Sequence, residues 1–81
     1  MSAALSPIPP IVLRDILVKD GFSVVRETDY NWTLFKEDSP RPVITLPKKG
    51  SLVSVTVMME ILDQIKMNNE RYFDLLNQAK N

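Results

Sequence analysis

The chain has 81 residues, with ten Lys and Arg balanced by ten Asp and Glu, and it contains neither histidine nor cysteine. That length provides one small core of modest stability, and zero net charge supplies no global field toward nucleic acid or an anionic membrane. The two missing residue types remove disulfides, the usual zinc and haem ligands, the thiolate nucleophile and the one side chain that titrates near neutrality, so no cofactor, metal site or conventional acid–base site is expected.

Ser6-Pro7-Ile8-Pro9-Pro10 reads as a stiff, extended N-terminal arm over residues 1–10, because each proline biases its predecessor away from the helix. Residues 1–10 also lack the basic and apolar regions of a signal peptide, and no apolar run reaches a membrane span, so a soluble, cytoplasmic protein is expected. From Val12 to Asp20, Leu13, Ile16 and Leu17 recur at helical spacing, and Gly21 follows where a left-handed terminus is wanted. Phe22 to Glu27 reads as a first strand, with Phe22 and Val24 on one face and Ser23, Val25 and Glu27 on the other. Thr28-Asp29-Tyr30-Asn31 forms a turn, with Asp29 as a turn former, and Trp32 to Lys36 resumes an extended pattern. After a reversal at residues 37–42, Val43 to Leu46 gives a third strand closed by Pro47.

Met58, Ile61, Leu62 and Ile65 then follow i, i+3, i+4, i+7 spacing and mark an amphipathic helix starting near Ser54. Asn68 caps a last helix, whose Tyr72, Leu75, Leu76 and Ala79 line one face. The order is α-β-β-β-α-α, a single α+β domain over residues 11–81 with a small three-stranded antiparallel sheet and helices on one face.

The helix ending in Gly21-Phe22, the strand running into Arg26, the Leu34-Phe35-Lys36 strand, the strand closed by Pro47 before a basic loop and the Ile61-Leu62 helix together resemble the HicA (YcfA-like) family of toxin–antitoxin RNases. The resemblance covers about residues 11–76. It implies a fold like the double-stranded-RNA-binding domain (dsRBD-like), messenger-RNA cleavage, and a HicB-like antitoxin as partner. Aligning Leu34-Phe35-Lys36 to the family strand puts Trp32, or with a one-residue slip Asn31, where the family carries its catalytic histidine. The second histidine, expected near Lys48 and Lys49, is missing as well. No catalytic residue is therefore assigned.

Three readings follow. The first is a catalytically silent HicA-like interaction module that binds a protein, itself as a homodimer or an antitoxin-like protein, or RNA, with protein contact favoured on charge. The second is a toxin-type ribonuclease that gathers Trp32, Asn31, Tyr30 and the lysines around one pocket, and the third a non-catalytic RNA-binding domain. Residues 36–49 carry Lys36, Arg41, Lys48 and Lys49 against Glu37 and Asp38. Arg26, Trp32, Lys36, Arg41, Lys48 and Lys49 are accordingly the candidate RNA or partner contacts. Glu60 and Asp63 read as the wet face of a helix rather than as metal ligands. The stretch Leu52 to Met59 carries more apolar surface than one helix face can bury, which makes Val55 and Met59 candidates for a protein interface.

Overall fold

The computed structural model describes residues 5–80. Helix α1 (Pro10–Lys19) leads into strands β1 (Ser23–Glu27), β2 (Asn31–Phe35) and β3 (Val43–Pro47), followed by helices α2 (Val55–Gln64) and α3 (Asn69–Lys80). The three strands form one antiparallel sheet in the order β1-β2-β3. This is an α+β fold with the expected element order. Residues 1–4 of the expected N-terminal arm, and Asn81, lie outside the described residues.

Helix α1 starts two residues earlier than its apolar spacing suggested. Pro10 occupies its first turn, where a missing N–H costs nothing and a fixed φ near −65° is already helical. The arm before it is not free. Ile8 is buried and accepts a 2.7 Å hydrogen bond from Val53 N, an isolated bridge to the lead-in of α2.

The helix ends in a Schellman motif. Phe22 N donates to Leu17 O and Gly21 N to Val18 O, both at 3.0 Å, and Gly21 takes φ +112°. The positive φ is what favours glycine there; a Cβ would also meet Lys36 Cε at 3.2 Å, a contact that a small shift of the flexible lysine stem relieves. Helix α2 closes with the same pair of bonds, Met67 N to Leu62 O and Lys66 N to Asp63 O, but its left-handed residue is Lys66 at φ +57°.

Caps set the other helix starts. Ser54 Oγ accepts from Val57 N at 3.3 Å, which anchors the β-branched first turn of α2, and Asn68 Oδ1 accepts from Arg71 N at 2.8 Å to open α3.

Alternation along β2 and β3 buries Trp32, Leu34, Ile44 and Leu46 on one face, against Leu13, Ile16 and Leu17 of α1, Met58, Ile61 and Leu62 of α2, and Tyr72, Leu75 and Leu76 of α3. Helix α1 packs on both α3 and β3. Strand β1 departs from the expected alternation. The register shifts between Val24 and Arg26, so Arg26 faces Thr33 and Glu27 lies opposite Trp32 instead of sharing a face with Ser23. The cause is a β-bulge, which spends one residue without advancing the pairing. No helix among the described residues is long and apolar enough to cross a membrane.

Tyr72 is 1% exposed and its hydroxyl has no hydrogen-bond partner among the described residues. Burial raises its pKa above the ordinary 10.0. A raised pKa means stability that is complete below pH 10.0 and lost as pH climbs through the folded value. Tyr72→Phe is expected to keep or raise stability, by up to about 1 kcal/mol in urea unfolding, and to lessen the alkaline loss. A loss of stability in that variant would mean the hydroxyl is bonded.

Candidate site around Trp32 and the open sheet face

The β1–β2 turn is built by Thr28 rather than by Asp29. The Thr28 hydroxyl accepts from Tyr30 N at 3.2 Å and Asn31 N at 3.0 Å, while Thr28 N donates to Asn31 O at 2.9 Å. Asp29, the expected turn former, makes no side-chain hydrogen bond among the described residues. A threonine hydroxyl serves the same role as an Asx side chain, so composition alone did not separate the two.

This turn delivers Trp32 to the inner face, paired with Glu27 on one side and Leu46 on the other. Trp32 is 6% exposed. Its ring is flanked by two cations, the Arg14 guanidinium at 4.9 Å and Lys48 Nζ at 5.4 Å from the centroid. Such contacts contribute on the order of 0.5–2 kcal/mol each, depending on desolvation.

Lys48 is held in place by three bonds. Its backbone N donates to Tyr30 O at 2.8 Å, and its ammonium donates to Thr28 O at 3.1 Å and pairs with the Glu27 carboxylate. That hydrogen bond from Lys48, and then its charge, hold the Glu27 carboxyl below the ordinary 4.5, with smaller help from Arg14 and Trp32. Beside this cluster, the exposed Tyr30 ring carries Lys49 Nζ at 4.4 Å from its centroid.

Of the six residues expected to contact RNA or a partner, Trp32 and Lys48 meet in this cluster and Lys49 lies beside it on Tyr30. The other three lie elsewhere. Arg26 sits on the outer face of the sheet opposite Thr33. Lys36 lies at the far end of β2, 3.5 Å from Asp20 Oδ2 and 5.9 Å from the Phe22 ring centroid. Arg41, in the β2–β3 loop, donates to Val43 O at 3.3 Å.

Asn31, the other position aligned with the family histidine, pairs with Pro47 and is half-buried on the outer side. Arg14 and Glu27 belong to the cluster and were not expected. A cation on the flank of an amphipathic helix carries no sequence signal of what it will cover, and Glu27 was hidden by the bulge.

Among the described residues no element covers the outer face of the sheet. Register places Ser23, Phe35 and Val43 in one row, Arg26, Thr33 and Thr45 in the next, and Asn31 with Pro47 at the end. Phe35 is 41% exposed, Val43 49% and Val25 60%. Arg26 has no ion-pair partner among the described residues.

The β3 edge, by contrast, is blunted. Lys36 N bonds Pro42 O and Lys48 N bonds Tyr30 O, so alternation turns Val43, Thr45 and Pro47 outward. Pro47 has no N–H, and Arg41 already occupies Val43 O.

Of the two expected interface residues, Met59 is 56% exposed and Val55 is half-buried. Met59 lines a depression of about 240 Å³ together with Leu5, Leu62, Asp63, Met67 and Asn69.

No protein-family model, curated protein or solved structure matches the chain. Among the described residues no group of three or more acidic side chains gathers as a metal site.

The Glu27–Lys48 pair leads to a pH test. Because the folded carboxyl titrates below 4.5, its stabilising effect is present above that pH and lost as pH falls through the folded value. Lys48→Gln is expected to lower stability at neutral pH slightly and to flatten the loss below pH 4.5 seen in chemical unfolding of the wild type. Parallel acid curves for the two proteins would contradict the pairing.

Proposed function

We propose that the chain is a catalytically silent, HicA-like interaction module whose partner is a protein, either a second copy or a HicB-like antitoxin. The observation that carries this reading is the open sheet face, where Phe35 and Val43 stand beside Thr33, Thr45 and the unpaired Arg26. A mixed apolar and hydroxyl surface with one cation suits a protein surface offering apolar area and one carboxylate. It suits a polyphosphate chain poorly, since Lys48 is already paired with Glu27 and Arg26, Lys36, Arg41 and Lys49 lie too far apart on the fold to follow one backbone.

The element order and the Leu34-Phe35-Lys36 strand support the family resemblance and the dsRBD-like fold it implies. The side chain aligned with the family histidine supports catalytic silence. Trp32 is sealed by Arg14 and Lys48 and has no proton to exchange near neutral pH. The toxin-type ribonuclease reading would need another general base, and Glu27, held ionised by Lys48 at the rim, is a weak one.

One observation favours the third reading, RNA contact without cleavage. Tyr30 is 61% exposed next to Lys49, and an unpaired base stacked on such a ring gains about 1–3 kcal/mol.

Sedimentation of the purified chain, alone and mixed with a HicB-like antitoxin, beside incubation with mixed RNA at low salt, separates these readings. The expected result is a protein complex weakened about tenfold or more by Phe35→Asp, with the RNA left whole. Cleaved RNA, or salt-sensitive RNA binding without any protein complex, would overturn the proposal.

A further inference from the structure

At the end of the sheet away from Trp32, side chains from four parts of the chain converge. A depression of about 260 Å³ is lined by Asp20 after α1, Lys36 after β2, Ile65 and Lys66 at the end of α2, and Asn68 and Arg71 at the start of α3. Three of these residues are cations and one is a carboxylate.

The carboxylate organises the cations. Asp20, 17% exposed, holds Lys36 Nζ with Oδ2 at 3.5 Å and Arg71 Nε with Oδ1 at 3.3 Å. Arg71 is engaged only through Nε, so both terminal nitrogens of its planar fork stay available among the described residues. Gly21, lacking a Cβ, leaves the room that the Lys36 stem fills. Lys66 makes no ion pair among the described residues.

Lys66 is also out of place by the rules of local structure. It holds the left-handed position of a Schellman motif at φ +57°, where glycine is the favoured residue and any side chain costs on the order of 1 kcal/mol. The backbone does not explain the lysine, since the N–H groups of Ile65, Lys66 and Met67 are all consumed by Ile61 O, Asp63 O and Leu62 O. An anion here would therefore be held by side chains, with the N-terminal dipole of the 12-residue α3 as a minor addition.

Size and charge narrow the ligand. The volume is below the roughly 300–1,000 Å³ of clefts for drug-sized ligands, and it is ample for one tetrahedral anion. Three cations against one carboxylate leave an excess of two positive charges, and a phosphomonoester carries about −1.5 to −2 at pH 7.

We infer that this depression binds the dianionic phosphate of inorganic phosphate or of a small phosphomonoester, through Lys36, Lys66 and the Arg71 fork. A phosphodiester, with one charge, does not match it. The site lies apart from the open sheet face and is independent of the protein-partner reading.

Amide spectra of the isotopically labelled full chain, titrated at constant ionic strength with inorganic phosphate, methyl phosphate or dimethyl phosphate, test the inference. The first two are expected to give saturable shifts at Lys36, Lys66, Asn68 and Arg71, and the diester at least about tenfold weaker ones. The phosphate and methyl phosphate arms rank the free ion against the monoester.

Lys66→Gly serves as the deciding variant because it relieves the left-handed strain. It should unfold at higher urea while binding phosphate several-fold more weakly, so misfolding cannot mimic the loss. Lys49→Gln should leave binding unchanged. Shifts that grow without saturating, that are equal at Lys48 and Lys49, that do not distinguish monoester from diester, or that survive Lys66→Gly would overturn the inference.

Discussion

The sheet depends on how Trp32 is enclosed. One large ring closes the end of the core nearest the β1–β2 turn, and residues from four parts of the chain surround it: Arg14 from α1, Glu27 from β1, Leu46 from β3 and Lys48 from the loop beyond. The ring brings apolar area inward, and the two cations cover faces that would otherwise meet water. Lys48 in turn needs Glu27, and Glu27 reaches that side only because the bulge in β1 reverses its direction. One irregularity in an edge strand thus aligns an ion pair with an aromatic ring.

The same bulge shapes the outer surface. Without it, Arg26 would stand opposite Trp32 on the helix-covered side of the sheet, and Glu27 would be turned away from Lys48. With it, Arg26 stands beside Thr33 and Thr45 on the uncovered face, and Phe35 and Val43 sit in the next row. The end enclosing Trp32 is closed by paired charges, whereas the open face carries apolar side chains and one unpaired cation. That division is what the proposed partner binding on the open face rests on.

Much of this was legible in the residues. The Gly21 helix end, the Ser54 and Asn68 starts and the alternating Trp32/Leu34 and Ile44/Leu46 pairs are local signals, in which one residue type satisfies a local backbone or burial demand. Pro10 reads as arm because it closes a run in which each proline biases its predecessor toward extended backbone, although the first turn of a helix tolerates proline itself. The candidate site was only half legible. Lys48 meets Trp32 and Lys49 meets Tyr30 because of how β3 pairs with β2, and Arg26, Lys36 and Arg41 scatter for the same reason. Pairing register is a non-local property, so neither the convergence of Arg14 and Glu27 nor that of Asp20, Lys36 and Arg71 left a mark in sequence spacing.

Trp32 is the single tryptophan of the chain, so its fluorescence reports on the enclosure directly. An emission maximum shifted to the blue, resistance to a neutral quencher, and a spectrum indifferent to added RNA are the results that a ring sealed between Arg14 and Lys48 predicts. Red-shifted emission that is readily quenched, or that responds to RNA, would contradict it and would return Trp32 to the surface as a base-stacking residue.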